Sequence, residues 1–101
     1  MKGALVFDEP AGRIVIPEST LAAIVSTAVE RAGARVRRRP RRSLAFEIDG
    51  RSMRVEVGLV APGEVVLNEL AARVQERVKE ALETSCELER VSIDVTIEEL
   101  A

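Results

Sequence analysis

Six arginines within eight positions give this 101-residue chain its clearest capacity for chemistry. They fall between Gly33 and Leu44, in a segment that Pro40 interrupts, so residues 34–43 are predicted to form a loop. A guanidinium group stays charged at any accessible pH and pairs in bidentate fashion with phosphate or carboxylate groups. The sequence therefore predicts a docking element for an anionic partner, formed by Arg35, Arg37, Arg38, Arg39, Arg41 and Arg42.

The charge distribution of the whole chain sets this loop apart. The formal net charge is −2, so subtracting the six positive charges of the loop leaves −8 for the remainder. A loop of this kind is able to dock on anionic lipid, on nucleic-acid phosphates or on an acidic protein surface. The alternative is a solvated loop that keeps the protein soluble and offsets the acidic remainder of its own surface or of a neighbouring copy. The residue pattern is compatible with each interpretation.

The other side chains that do chemistry in enzymes do not form a catalytic set. The chain has no His, the commonest general acid or base and the commonest metal ligand. Its single cysteine, Cys86, lacks a partner base and is predicted to be a small, partly buried apolar residue. The carboxylates follow no known metal-loop spacing, and no glycine-rich phosphate motif is present. We therefore predict no enzymatic activity, no cofactor and no metal site.

Composition also bears on location and on partners. One cysteine cannot form an internal disulfide, which favours a reducing compartment. No apolar run approaches the roughly 20 residues of a membrane span, and the N-terminus lacks the pattern of a signal peptide. A cytoplasmic location is expected. Phe7 and Phe46 are the only aromatic residues, which disfavours stacking on single-stranded nucleic acid.

Periodicity of the apolar residues predicts the elements that must position the arginine loop. Two stripes at spacings of three and four residues predict helices at about 18–32 and 67–84. Alternating apolar residues predict strands at 44–48, 53–59 and 91–97, and the first two are joined by the hairpin signal Asp49-Gly50. Short apolar runs at 4–7 and 13–16 add one or two strands, of which the second is expected to pair within the sheet. Whether the two runs form a hairpin or one of them is a frayed arm stays open. The acidic residues 98–101 are predicted to be a frayed tail.

This order predicts one α+β domain over residues 1–101. The elements follow as β-α-β-β-α-β, and the economical arrangement is a two-layer sandwich with both helices on one face of a single mixed or antiparallel sheet. The strand residues that alternate with the apolar positions then form the opposite, polar face of the sheet. These residues are Glu47, Arg54, Glu56, Ser92, Asp94 and Thr96.

Read as a whole, the sequence resembles the alkaline-shock protein family of bacterial envelope-stress proteins. Three segments carry the resemblance: GRIVIPESTLAAIVSTAVERAG at 12–33, LAFEIDGRSMRVEVGLV at 44–60, and LNELAARVQERVKEALETSCELERVSIDVTI at 67–97. The chain departs from the family pattern in the turns that flank the helices and at Ser92, where the family often has Asn. The matched patterns determine a fold and include no catalytic signature.

The resemblance implies a non-enzymatic cytoplasmic protein that acts by protein–protein contact near the inner surface of the membrane. Some relatives are held there by a membrane-anchored partner protein, so the expected partners are such a protein, a second copy of the chain or an anionic membrane surface. The alternative function is an RNA- or DNA-binding α+β module that uses the arginine loop. The acidic balance of the chain and its scarcity of aromatic residues count against that alternative.

Overall fold

The computed structural model describes residues 3–101, which form eight secondary-structure elements in two layers. A mixed β-sheet carries two helices on one face, and an N-terminal hairpin packs at the edge of their shared core. The elements are β1 (Leu5–Glu9), β2 (Gly12–Ile16), α1 (Glu18–Arg31), β3 (Arg35–Val36), β4 (Leu44–Asp49), β5 (Ser52–Ala61), α2 (Leu67–Ser85) and β6 (Arg90–Leu100).

Strand β5 is the centre of the main sheet. Along one side it pairs antiparallel with β4 and then, near its C-terminal end, with the two-residue strand β3. Along its other side it pairs parallel with β6, and this register shifts at Leu59/Val60. Because α2 connects β5 to β6, the pair forms a parallel crossover unit, for which a helix is the usual connection.

The core lies between the helix layer and the inner face of the sheet. Alternate residues of β5 point into it, and the side chains of Val55 and Leu59 are fully buried there. The helices contribute residues at the three- and four-residue spacings that place them on one side. The fully buried members from α1 and α2 are Leu21, Val25, Val29, Leu70, Val74, Val78 and Leu82.

The N-terminal hairpin is attached by few contacts. Strands β1 and β2 pair with each other in a separate two-stranded sheet. Leu5 is fully buried in the common core, and the ring of Phe7 lies under the guanidinium of Arg51 at 5.3 Å from the ring centroid. On β2, by contrast, Ile14 and Val15 are exposed.

The predicted fold class is confirmed: the structure is α+β, with two helices packed on one face of the sheet. The predicted helix bounds of 18–32 and 67–84 agree with α1 and α2 to within one residue. The six residues predicted for the polar face of the sheet are all exposed.

Three local predictions were wrong. The strand at 13–16 does not pair within the main sheet, because its partner is β1. The predicted loop at 34–43 is not wholly irregular, because Arg35 and Val36 form β3 against β5. Residues 98–100 are not a frayed tail: they continue β6, and the N–H of Ala101 donates a hydrogen bond to the carbonyl of Ala61 at 2.8 Å.

Candidate docking surface

The arginine segment closes on itself where it meets the sheet. The N–H of Arg37 donates to the carbonyl of Gly58 at 2.9 Å, and the N–H of Gly58 donates to the carbonyl of Ser43 at 2.8 Å. The N–H of Ser43 in turn donates to the carbonyl of Arg37 at 2.8 Å. These three bonds fix both ends of a short loop against β5. We call residues 38–42, which lie between those ends, the arginine tip.

Arg37 differs from the residues of the tip because its side chain is already paired. Its guanidinium lies 3.7 Å from Glu98 Oε1 and 3.4 Å from Glu99 Oε2, and its side chain is 29% exposed. The Nε atom is buried and makes no hydrogen bond within residues 3–101, since its approach to Glu99 meets the distance of an ion pair but not hydrogen-bond geometry. Arg37 therefore serves the fold and is not free to receive a partner.

The four arginines of the tip are exposed. None of them lies within 4.0 Å of a carboxylate in the part of the chain that the structure describes. Arg35 is also exposed, but it lies apart from the tip on β3, opposite Val60. Of the six arginines predicted to form one docking element, four thus lie on the tip, exposed and without an ion pair in the described residues: Arg38, Arg39, Arg41 and Arg42.

The outer face of the sheet, opposite the helices, carries an acidic cluster beside the tip. Arg54 on β5 lies at its centre, 3.0 Å from Asp94 Oδ2, 3.3 Å from Glu56 Oε1 and 3.7 Å from Glu47 Oε2. We call these three carboxylates with Arg54 the acidic face. Its formal charge is −2, from three negative groups and one positive group.

The carboxylates of the acidic face raise the pKa of Arg54. The nearby carboxylate of Glu47 raises the pKa of the Arg54 guanidinium most, followed by the hydrogen bond from Arg54 Nε to Asp94. All four side chains are more than half exposed, so water screens their attraction and each pair contributes little to stability. The carboxylates retain free lone pairs and remain accessible to a further cation.

A concavity of about 600 Å³ separates the tip from the acidic face. Arg41 and Arg42 line one side of it, and Glu56, Asp94 and Glu98 line the other. Its lining is completed by uncharged residues, namely Ser43, Leu44, Ala45, Val57, Gly58 and Thr96. The surface is therefore a pair of adjoining patches of opposite sign.

Of the other concavities, one is lined by charged residues of both signs, among them Glu47, Arg54, Lys79, Glu83, Glu89 and Arg90. The one between the helices is lined mostly by small and polar residues, together with Ile24, Arg31 and Arg77. The one under the hairpin contains Cys86, and burial raises the pKa of this thiol, which lowers its reactivity. Within residues 3–101, no cluster of three or more His, Cys, Asp or Glu side chains could hold a metal ion.

The sequence pattern did not predict that Glu98 and Glu99 pair with Arg37, or that this pairing distinguishes Arg37 from the arginines of the tip. A usable signal was Gly58, a glycine inside the alternating pattern of β5, because such a glycine often marks a close approach of another segment. Pairing between residues about 60 positions apart has no signature in periodicity. The outer-face residues were identified, but not the network centred on Arg54.

Comparisons with known proteins show the fold. No family model matches the chain, and no curated protein gives a significant match. A zinc form of a MamM CTD variant aligns with a TM-score of 0.52 and 18% identity, over 80% of this chain and 86% of that one. A second variant in a zinc form aligns with a TM-score of 0.52 and 19% identity, again over 80% of this chain and 86% of that one. A doubly substituted MamM CTD aligns with a TM-score of 0.50 and 18% identity, over 80% of this chain and 94% of that one.

The similarity to the MamM CTD is one of architecture, since the identities are below 20%. What the two proteins share is an α+β fold. Neither helix described here combines the length and the apolar content needed to cross a membrane.

Proposed function

We propose that this protein is a non-enzymatic interaction module that docks through the arginine tip onto an acidic patch of a protein partner. The observation that carries the proposal is that the four tip guanidiniums are exposed and make no ion pair within residues 3–101, although carboxylates line the same concavity as Arg41 and Arg42. A free guanidinium cluster on a loop whose ends are fixed is suited to bidentate pairing with carboxylates. The absence of His from the chain supports a role in binding over one in catalysis.

The neighbouring acidic face favours a protein partner over a nucleic acid or a bilayer. Nucleic acids and bilayers present negative charge over a broad surface, and such a surface approaching Arg41 and Arg42 also meets the carboxylates that line the same concavity, those of Glu56, Asp94 and Glu98. The negative charges of that surface and of these carboxylates repel each other. A protein can instead present a local acidic patch and leave the carboxylates unopposed.

The resemblance to alkaline-shock proteins extends this proposal to a biological setting. In that setting the chain acts at the cytoplasmic side of the membrane, in the envelope stress response, and its partner is a membrane-anchored protein. The resemblance rests on segments 12–33, 44–60 and 67–97 of the sequence. The docking chemistry proposed for the tip does not depend on this resemblance.

Binding to three anionic probes tests the docking function. The probes are poly-L-glutamate, vesicles containing phosphatidylserine, and duplex RNA. The tip variant changes Arg38, Arg39, Arg41 and Arg42 to Gln, and the matched control removes four positive charges elsewhere by changing Arg31, Arg77, Lys79 and Arg90 to Gln. We expect binding to poly-L-glutamate that weakens by about tenfold or more in the tip variant, because each charge-assisted contact contributes about 1 kcal/mol or more.

The matched control should bind as the original protein does, although both variants have the same net charge. Equal loss in the two variants would show that overall charge, and not the tip, governs binding. Tighter binding to RNA or to vesicles than to poly-L-glutamate would show that the partner is a nucleic acid or a membrane and not a protein.

A further inference from the structure

We infer that the partner of the arginine tip is the acidic face of a second copy of this chain, so that copies associate head to tail. The inference rests on the docking function proposed above and names its partner. It starts from the presence of two complementary surfaces on one molecule: four unpaired guanidiniums on the tip, and three carboxylates that share a single guanidinium on the acidic face.

The two surfaces make no ion pair with each other in the part of the chain that the structure describes. Arg41 and Arg42 line the same concavity as Glu56 and Asp94, yet no ion pair of 4.0 Å or less joins them within residues 3–101. The backbone hydrogen bonds between Arg37, Ser43 and Gly58 hold the base of the loop. The tip is therefore kept beside the acidic face without being folded onto it.

The acidic face is open to a second tip. The side chains of Glu47, Glu56 and Asp94 are 70%, 52% and 58% exposed. Their neighbours on the outer face, such as Ala45 and Thr96, are small and do not cover them. A guanidinium can reach each carboxylate from the solvent side, and Arg54, itself 52% exposed, lies among them.

The geometry of this contact is heterologous, since the tip of one copy meets the acidic face of the next. Two different patches are used, so the first contact leaves one free tip and one free acidic face at the ends of the pair. Association can therefore continue beyond two copies. Exposed ion pairs are individually weak and are screened by salt, so the contact should be concentration-dependent and sensitive to ionic strength.

Complementary variants test the inference by sedimentation velocity over a range of protein concentrations. The tip variant described above keeps its acidic face, and a face variant with Glu47→Gln, Glu56→Gln and Asp94→Asn keeps its tip. At about 0.01 M salt, where the Debye length is about 30 Å, the original protein should sediment faster as its concentration rises. At about 1 M salt, where the length is about 3 Å, it should sediment as a monomer.

Each variant alone should remain a monomer at low salt, and an equal mixture of the two should form a species no larger than a dimer. That result requires contact between one tip and one acidic face. Association of either variant alone, or none in the mixture, would overturn the inference. The matched control, with Arg31, Arg77, Lys79 and Arg90 changed to Gln, should associate as the original protein does.

Failure of this inference can be told apart from failure of the docking function. The face variant retains the tip and should still bind poly-L-glutamate. If it binds the probe but does not associate with the tip variant, the second copy is excluded as the partner and the docking function stands. If neither the face variant nor the original protein binds the probe, the docking function itself is wrong.

Discussion

The carboxylate of Glu98 occupies the space that a side chain at Gly58 would need. A Cβ built on Gly58 would collide with the Glu98 carboxylate and would lie 2.7 Å from Ser43 Cβ. Glu98 reaches this place where the β5–β6 register shifts, and it lies there within ion-pair distance of Arg37. The glycine thus lets the outer face of β5 accommodate both the end of β6 and the base of the arginine tip.

Gly58→Ala is expected to destabilise the protein by about 1–3 kcal/mol, the usual cost of forcing atoms into a packed site. The loss arises because Glu98 and Ser43 must both move, and both are held by neighbouring bonds. Urea unfolding followed by circular dichroism measures it. Gly63→Ala is the control, since a Cβ there meets only the carbonyl of Ala101 at 3.6 Å. If the Gly58→Ala protein is as stable as the control, Glu98 and Ser43 can move aside without loss of stability, which would contradict this prediction.

Arg37→Gln and Arg38→Gln remove the same charge from neighbouring positions and should differ in effect. Arg37 is partly buried against Glu98 and Glu99, so its loss leaves two carboxylates without their cation and should cost about 1 kcal/mol or more. Arg38 is exposed and unpaired within the described residues, and its loss should change the free energy of unfolding by less than about 0.5 kcal/mol. Denaturant titration compares them, and equal losses would contradict a distinct role for Arg37.

The difference between these two arginines marks the limit of what the sequence could predict. The helix stripes, for example Val25 with Val29 and Val74 with Val78, were visible because burial of one helix face imposes a regular period. Strand β3 has two residues, too few to show alternation. The pairing of Arg37 with Glu98 depends on how distant segments meet, which a local pattern does not encode.

The candidate site was predicted in composition but not in arrangement. The arginine run and the residues of the polar sheet face were both predicted, because charge runs and strand alternation are local properties. Their adjacency was not found, because it depends on the parallel pairing of β5 with β6, which brings Asp94 opposite Glu56. The hairpin β1–β2 was left undecided for a related reason: short apolar runs do not specify their partner strand.

Leu82→Ala should lower the free energy of unfolding by about 2–5 kcal/mol, as expected for a buried leucine whose removal leaves a cavity. Leu82 is fully buried near the end of α2, in the core shared with the sheet. Leu67→Ala serves as the control because Leu67 is 38% exposed at the first residue of the same helix. Thermal or urea unfolding measures the loss of stability in each variant. Similar losses in the two would contradict the placement of Leu82 in the core.

Cys86 should react slowly with a thiol reagent in the folded protein. Burial raises the pKa of its thiol, so less thiolate is present at neutral pH than in the unfolded chain. We expect reaction with Ellman's reagent at mildly alkaline pH to be slower than in the same chain unfolded in urea. Equal rates in the two conditions would show that the thiol is not shielded.

The same shift predicts how stability depends on pH. A group whose pKa is raised on folding keeps its proton in the folded state after the unfolded chain has lost it, so the unfolded state gains as pH rises. The stability linked to Cys86 is therefore fully present below the ordinary thiol pKa and is lost as pH rises through the raised value. Comparing unfolding of the original protein and Cys86→Ala across this range isolates the effect. The difference in stability between the two proteins should change in favour of Cys86→Ala at high pH, and a constant difference would contradict the burial of the thiol.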